Sequence, residues 1–296
     1  MKWMLKTPSG YSLDAVVQSH GWSQLDPFQI LEPSGLSCVI GLSSDVAVMV
    51  SVTEQKRGLA VSTAARLGSR QRARVEASLS WMLGLDQEFR TFYRAARDEP
   101  KLSRIPKEGW GRMLRSATFF EDVVKTILTT NTTWAGTIRM VSRLVNLYGV
   151  AIAGDDHLKA FPSPERLAAA SPDELRKETG LGYRAQYVSA LAEGVASGSI
   201  DLDAIRESDL PTPELRKQLL SLKGVGPYAA ATLLILLGRY DYLPVDSWAL
   251  KLVSAEWYDG EPVGKEEVES AFAQWGEWKA LAYWFWDWEL LKERGG

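Results

Sequence analysis

The chain has 296 residues, 46% of them apolar and 24% charged, enough to bury a large core divided into two or three closely packed parts. A single cysteine, Cys38, excludes a disulfide framework and any four-cysteine zinc or iron–sulfur cluster built from this chain alone, and two histidines, His20 and His157, leave little for a metal site. With a net charge of −3 and a pI near 5.6, the bulk electrostatics do not mark a nucleic-acid binder, so a DNA-binding protein of this composition must concentrate positive potential on one face.

The N-terminal MKWMLKTPSG lacks the apolar core of a secretory signal and no run reaches membrane-spanning length, so the expected location is the cytoplasm, beside the nucleoid in a bacterium. Ser19 to Phe28 reads as a loop. Leu36–Leu42 and Val46–Val52 are short β-branched runs separated by a Ser43-Ser44-Asp45 turn, predicting antiparallel strands in an N-terminal β lobe over 1–68. Cys38 falls inside one of these strands and reads as a buried apolar side chain. His20 and His157 read as loop and surface residues. From about Gln71 helical signals dominate, and the fold class is α+β, mostly α, with residues 69–296 as a helical domain in two halves.

Thr118 with Glu121 has capping-box spacing ahead of Val123, Val124, Ile127 and Leu128. The Thr129–Thr133 stretch, with Asn131 at its centre, interrupts the helix. Helical periodicity resumes from Trp134 to Tyr148 and stops at Gly149. Ser163-Pro164 and Ser171-Pro172 each place a cap before an N1 proline, and Ser171 with Glu174 repeats the capping box. Gly180 and Gly182 break the run, Tyr183 to Ala196 predicts another helix, and Thr212-Pro213 starts a short one. Lys265 to Trp275 and Glu277 to Lys292 complete a helical C-terminal half.

Leu222 to Asp246, LKGVGPYAAATLLILLGRYDYLPVD, is the most informative stretch. Gly224 and Gly226 make a tight hairpin between two helices, spanning 222–226. Pro227 stands at a first helical position, where its missing N–H costs nothing. Such a turn is a simple connector, or it is an anion site formed by free N–H groups and the positive end of the helix dipole. Asp246, after Leu-Pro-Val and before a helical run, is either a cap or a catalyst.

Leu222 to Asp246 resembles the helix-hairpin-helix plus Gly/Pro…Asp (HhH-GPD) signature of the base-excision DNA glycosylase superfamily. Thr118–Gly149 and the segment from Phe161 to Val188 resemble its 3-methyladenine glycosylase II and 8-oxoguanine glycosylase branch. The resemblance spans most of 110 to 290 and is weak in the β lobe. It implies that Lys223, Gly224, Val225 and Gly226 hold the backbone of double-stranded DNA, with a monovalent Na⁺ or K⁺ at the carbonyls of Leu222 and Val225, and no iron–sulfur cluster. Asn131 falls on the intercalating position that fills the gap left by a flipped base; capping the following helix is its other reading.

By the same resemblance Asp246 is the carboxylate that stabilises positive charge on the sugar as the C1′–N bond breaks. Bifunctional members carry a lysine where this chain has Tyr228, and a phenol forms no imine, so the implied enzyme is a monofunctional hydrolase without lyase activity. Tyr228, Thr232, Trp278, Lys279 and Tyr283 fall near pocket-lining positions. An aromatic wall suits a cationic alkylated purine, although aromatics at helical spacing also pack cores and Lys279 beside a cationic base would oppose binding. The implied function is excision of a damaged purine of the 3-methyladenine type by a monomeric enzyme. An 8-oxoguanine or mismatch thymine/uracil glycosylase is the alternative, and a non-catalytic DNA-binding module is the alternative from another class.

Overall fold

The computed structural model describes residues 1–286. Among these residues seven strands form one sheet: β1 (Lys2–Leu5), β2 (Phe28–Ile30), β3 (Gly35–Gly41), β4 (Ala47–Gln55), β5 (Gly58–Thr63), β6 (Ala151–Ile152) and β7 (Asp155–Lys159). The main path runs β1-β5-β4-β3-β2 and is antiparallel throughout, with Val39 opposite Met49 and Val52 opposite Val61. The Ser43-Ser44-Asp45 turn closes β3 on β4, where Leu42 N–H donates to the Val46 carbonyl at 2.7 Å. Val48, Val50 and Val52 alternate inward along β4, the period-2 pattern of a sheet with one packed face. Cys38 is fully enclosed in β3, and desolvation pushes its thiol up to about 12, which suits an inert apolar side chain.

The chain divides into two compact units, 1–87 with 112–207 and 222–224, and 88–111 with 208–221 and 225–296. The sheet shares its unit with the helices of 112–207. One cause lies in β6 and β7, which the sequence reading placed in helical territory. Ile152 pairs parallel with Ala47 of β4, carrying the sheet across the boundary expected from texture.

In the first unit the helices Phe119–Thr129 and Trp134–Tyr148 flank the Asn131 loop. Thr118 caps the former by accepting from Glu121 N–H at 3.2 Å. Glu121 does not complete the expected box, because its carboxylate turns inward to Lys125, 2.6 Å away, with both side chains essentially inaccessible. Burial raises the Glu121 carboxyl above the usual range, and the adjoining Asp122 is raised for the same reason while its Oδ1 accepts from Trp22 Nε1 and Ser116 N–H, both at 2.9 Å. Ser163 and Ser171 cap their helices as their sequences dictate, and Ser171 with Glu174 forms the full reciprocal box.

The second unit is helical. Pro227–Leu236 is apolar all round and buries every residue from Ala229 to Leu236 except Thr232, as a helix at the centre of a unit must. Around it lie Arg90–Arg97, Thr212–Ser221, Ser247–Trp257 and Lys265–Ala271. The C-terminal segment is broken at Gly276, whose positive φ kinks the 3₁₀ stretch Ala273–Trp278 just ahead of the helix Lys279–Phe285. The part of the expected helix beyond Trp286 lies outside the described residues.

Candidate functional site

The backbone first turns sharply at Gly224, whose φ of +88° is open only to glycine at low cost, and Val225 is buried behind the turn. Gly226 occupies the N-cap of Pro227–Leu236 and offers no side chain to the helix start. Pro227 lacks an N–H, and the amides of Tyr228 and Ala229 carry no hydrogen bond among the described residues; the first closed bond is Ala230 N–H to the Gly226 carbonyl, 2.9 Å. Lys223 is exposed. The carbonyls of Leu222 and Val225 likewise accept nothing from the described residues, which leaves each a ligand oxygen for a monovalent cation.

One turn into the helix, Tyr228, Ala231, Thr232 and Ile235 follow the i, i+3, i+4, i+7 spacing of a single face. That face lines a cavity of about 130 Å³ completed by Pro244, Asp246, Trp248, Leu252, Tyr283 and Trp284. Thr232 donates its hydroxyl to the Tyr228 carbonyl at 3.2 Å, and the Tyr228 side chain is 54% exposed at the mouth. The volume lies below the ~300–1,000 Å³ of drug-sized sites and suits one flat group rather than a whole nucleotide.

Asp246 is the N-cap of Ser247–Trp257. Its Oδ1 accepts from Trp248 N–H at 3.0 Å, Ala249 N–H at 2.8 Å and the Tyr283 hydroxyl at 3.3 Å. All three donors converge on one oxygen. Among the described residues Oδ2 has no hydrogen bond, while the residue itself lines the cavity. Cap and cavity carboxylate, alternatives at the level of sequence, thus coexist. Three donors hold the group in one rotamer.

Of the residues expected at a pocket, the structure brings Tyr228, Thr232 and Tyr283 together with Asp246. Trp278 and Lys279 do not line this cavity. The Trp278 ring lies instead against Phe89, Phe92 and Tyr240, with centroids 5.6–5.7 Å away, so it belongs to an aromatic core. Trp248 and Trp284 were missed. Trp248 was signalled by its place two residues past the carboxylate, and Trp284 by nothing beyond the aromatic density of the C-terminal run.

Asn131, in the first unit, sits exposed at φ +48°, a left-handed conformation that asparagine tolerates better than most side chains. It is not the cap of the following helix: Thr133 fills that position, its hydroxyl accepting from Gly136 N–H at 3.2 Å. The Asn131 amide donates to the Tyr183 hydroxyl at 3.2 Å. Arg184 stands beneath, donating to the carbonyls of Thr130 and Asn131 and lying 4.6 Å from the Tyr183 ring. The cluster of Asn131, Tyr183 and Arg184 was legible only as separate residues. His20 is tied to the Leu114 carbonyl at 2.7 Å and precedes a 3₁₀ turn, Gly21–Gln24, inside the stretch read as a loop, whereas His157 is exposed on β7.

Residues 124–277 match the family described as HhH-GPD superfamily base excision DNA repair protein. The chain belongs to this superfamily. It is 24% identical over 212 residues to a DNA-3-methyladenine glycosylase of Bacillus subtilis, covering 70% of this chain and 69% of that protein. Its fold matches the 3-methyladenine DNA-glycosylase of Archaeoglobus fulgidus with a TM-score of 0.77 at 20% identity, over 97% of this chain and 98% of the other. It also matches the Clostridium acetobutylicum 8-oxoguanine glycosylase/lyase in complex with double-stranded DNA, at a TM-score of 0.74 and 16% identity, over 99% and 98% of the two chains. Among the described residues no helix is long and apolar enough to cross a membrane, and no cluster of His, Cys, Asp and Glu is arranged for a metal ion.

Proposed function

We propose that the protein is a monofunctional DNA glycosylase that hydrolyses the N-glycosidic bond of a flipped-out, alkylated purine in duplex DNA. The observation that carries this reading is the division of the Asp246 carboxylate, with Oδ1 saturated by three donors and Oδ2 left beside an aromatic cavity. Asp246 Oδ2 stabilises the positive charge that builds on the sugar as the base departs with the bonding electron pair. It then takes a proton from the water whose oxygen bonds to C1′. Tyr228 occupies the position of the lyase lysine and supplies a ring instead of an amine, so water is the nucleophile.

Tyr228, Trp248, Tyr283 and Trp284 suit a cationic base, since each aromatic face within reach adds about 0.5–2 kcal/mol of cation–π attraction. With Lys279 absent from this wall, the positive charge that would have opposed such a base is removed. The free amides of Tyr228 and Ala229, with Lys223 and Gly224–Gly226, grip a phosphate, and the carbonyls of Leu222 and Val225 hold Na⁺ or K⁺ where one is bound. Asn131 fills the gap left in the stack. One chain suffices for all of these roles, with duplex DNA as the partner.

The test is a panel of duplexes, each with one defined lesion (N3- or N7-alkylated purine, 8-oxoguanine, uracil or thymine opposite guanine), incubated with the protein and cleaved with hot alkali. Strand breaks at alkylpurine sites above the others are expected. Breaks confined to 8-oxoguanine or to mismatched pyrimidines would reassign the substrate. Binding without release of any base would leave only a DNA-binding module.

A further inference from the structure

Gly224, the first glycine of the hairpin, lies directly on a side chain of another helix. A Cβ built there would stand 2.8 Å from both Cβ and Cγ of Tyr187 and 2.9 Å from its Cδ2, so the bare backbone of the turn packs on the Tyr187 side chain at a separation only glycine permits. Tyr187 belongs to the helix Ala185–Ala196 and is half-buried. Its ring meets that of Tyr183 edge-on, with centroids 6.0 Å apart and planes at 80°, a favourable aromatic geometry. Tyr183 in turn receives the amide of Asn131 and is flanked by the Arg184 guanidinium that fixes the Thr130 and Asn131 carbonyls. All of these residues lie in one compact unit.

We infer that Tyr187 is a positioning residue that couples the DNA-gripping hairpin to the Asn131 wedge. This inference rests on the wedge reading of Asn131 given under Proposed function. The hairpin and the wedge must act in a fixed register, because a phosphate held at 223–226 defines where along the duplex the gap will open. Tyr187 supplies that register through two rigid rings with few rotatable bonds. Its role ends at the Tyr183 ring, so it touches neither base nor sugar. Nothing else in the Gly224 neighbourhood lies as close as this side chain.

The probe is a duplex bearing a tetrahydrofuran abasic analogue with 2-aminopurine opposite it, whose fluorescence rises when a wedge unstacks the base. The full chain is used, so excision plays no part in the signal. With the wild type the signal rises at saturation, and Asn131→Ala suppresses the rise. Tyr187→Leu is expected to cut the rise about threefold while changing the Kd for an undamaged duplex less than twofold, and Tyr187→Phe, which keeps the ring, is expected to restore it. Tyr183→Leu, at an exposed position, breaks the same ring pair from the other side and should dim the signal equally. The double substitution should be no worse than either single one.

A full rise with Tyr187→Leu, or losses that add in the double variant, would overturn the coupling. A full rise with Asn131→Ala would overturn the wedge reading and the coupling with it. If Asn131→Ala suppresses the rise and the Tyr183→Leu signal matches the wild type, the wedge stands and the coupling falls.

Discussion

Replacing Asp246 by Asn keeps a side-chain oxygen at the N-cap of Ser247–Trp257, where asparagine serves as well as aspartate, and removes only the negative charge. Folding stability is therefore expected to change by less than about 0.5 kcal/mol, while base release falls by roughly 100-fold or more, the scale of losing one electrostatic contact to a transition state. Urea titration alongside single-turnover excision checks both halves, and an unchanged rate would remove Asp246 from the mechanism. A second residue-scale effect concerns His20. Burial holds its imidazole down to about 4, against 6.5 in an unfolded chain, with the Leu114 carbonyl and Lys125 close by. The native state thus stays neutral where the unfolded state takes up a proton, so stability is fully present above pH 6.5. It is lost as pH falls toward 4, by up to about 3 kcal/mol. His20→Gln should flatten that part of the pH–stability curve. The buried Glu121 and Asp122 work in the opposite sense, because their raised carboxyls bind protons more tightly when folded.

The two hairpin glycines separate folding from binding at the scale of an element. Gly224 has φ +88° and the Tyr187 side chain within 3 Å of an added Cβ, so Gly224→Ala meets both backbone strain and a clash. A cost of about 1–2 kcal/mol in stability is expected from the left-handed backbone alone. Gly226 has φ −90° with nothing within 4 Å, so Gly226→Ala should fold as well as the wild type. It nevertheless places a methyl beside the free amides of Tyr228 and Ala229, and affinity for duplex DNA should fall about tenfold, or 1.4 kcal/mol. Melting temperature and binding isotherms for the pair discriminate the two effects; equal behaviour of the two variants would contradict this division.

Elements of this kind were readable because their determinants are local. The caps at Ser163 and Ser171, the glycine turn and the helix Trp134–Tyr148 depend on residues within one turn of each other. What escaped depends on partners far along the chain. The two-residue β6 pairs with the adjacent β7 but also, through Ile152, with Ala47 of β4 far upstream, and Glu121 leaves its capping role for Lys125 one turn on because the surrounding core buries both side chains. The resemblance placed Trp278 near the pocket, while aromatics at helical spacing also pack cores, and only the positions of Phe89, Phe92 and Tyr240 decide between the two.

At the scale of the whole molecule, a net charge of −3 sets how such a chain can hold a polyanion. Its 34 basic and 37 acidic side chains leave no general attraction to DNA, so affinity must come from oriented amides and a few local cations. Amides engage phosphate without releasing the counterions that a lysine or arginine displaces, and for that reason the salt dependence of binding reports how the work is shared. Each cation lost from the interface lowers the slope of log K against log salt by about one. Lys223, exposed next to the hairpin, is the cation this reading places on the backbone, and Lys223→Ala should lower the slope by about one with no change in lesion preference. Titrations of an undamaged duplex between low and physiological salt provide the check, with Gly226→Ala as the counterpart. That variant impairs an amide contact and should weaken binding while leaving the slope unaltered. Were Lys223→Ala to leave the slope unchanged, the hairpin would not be where this acidic protein concentrates its positive potential.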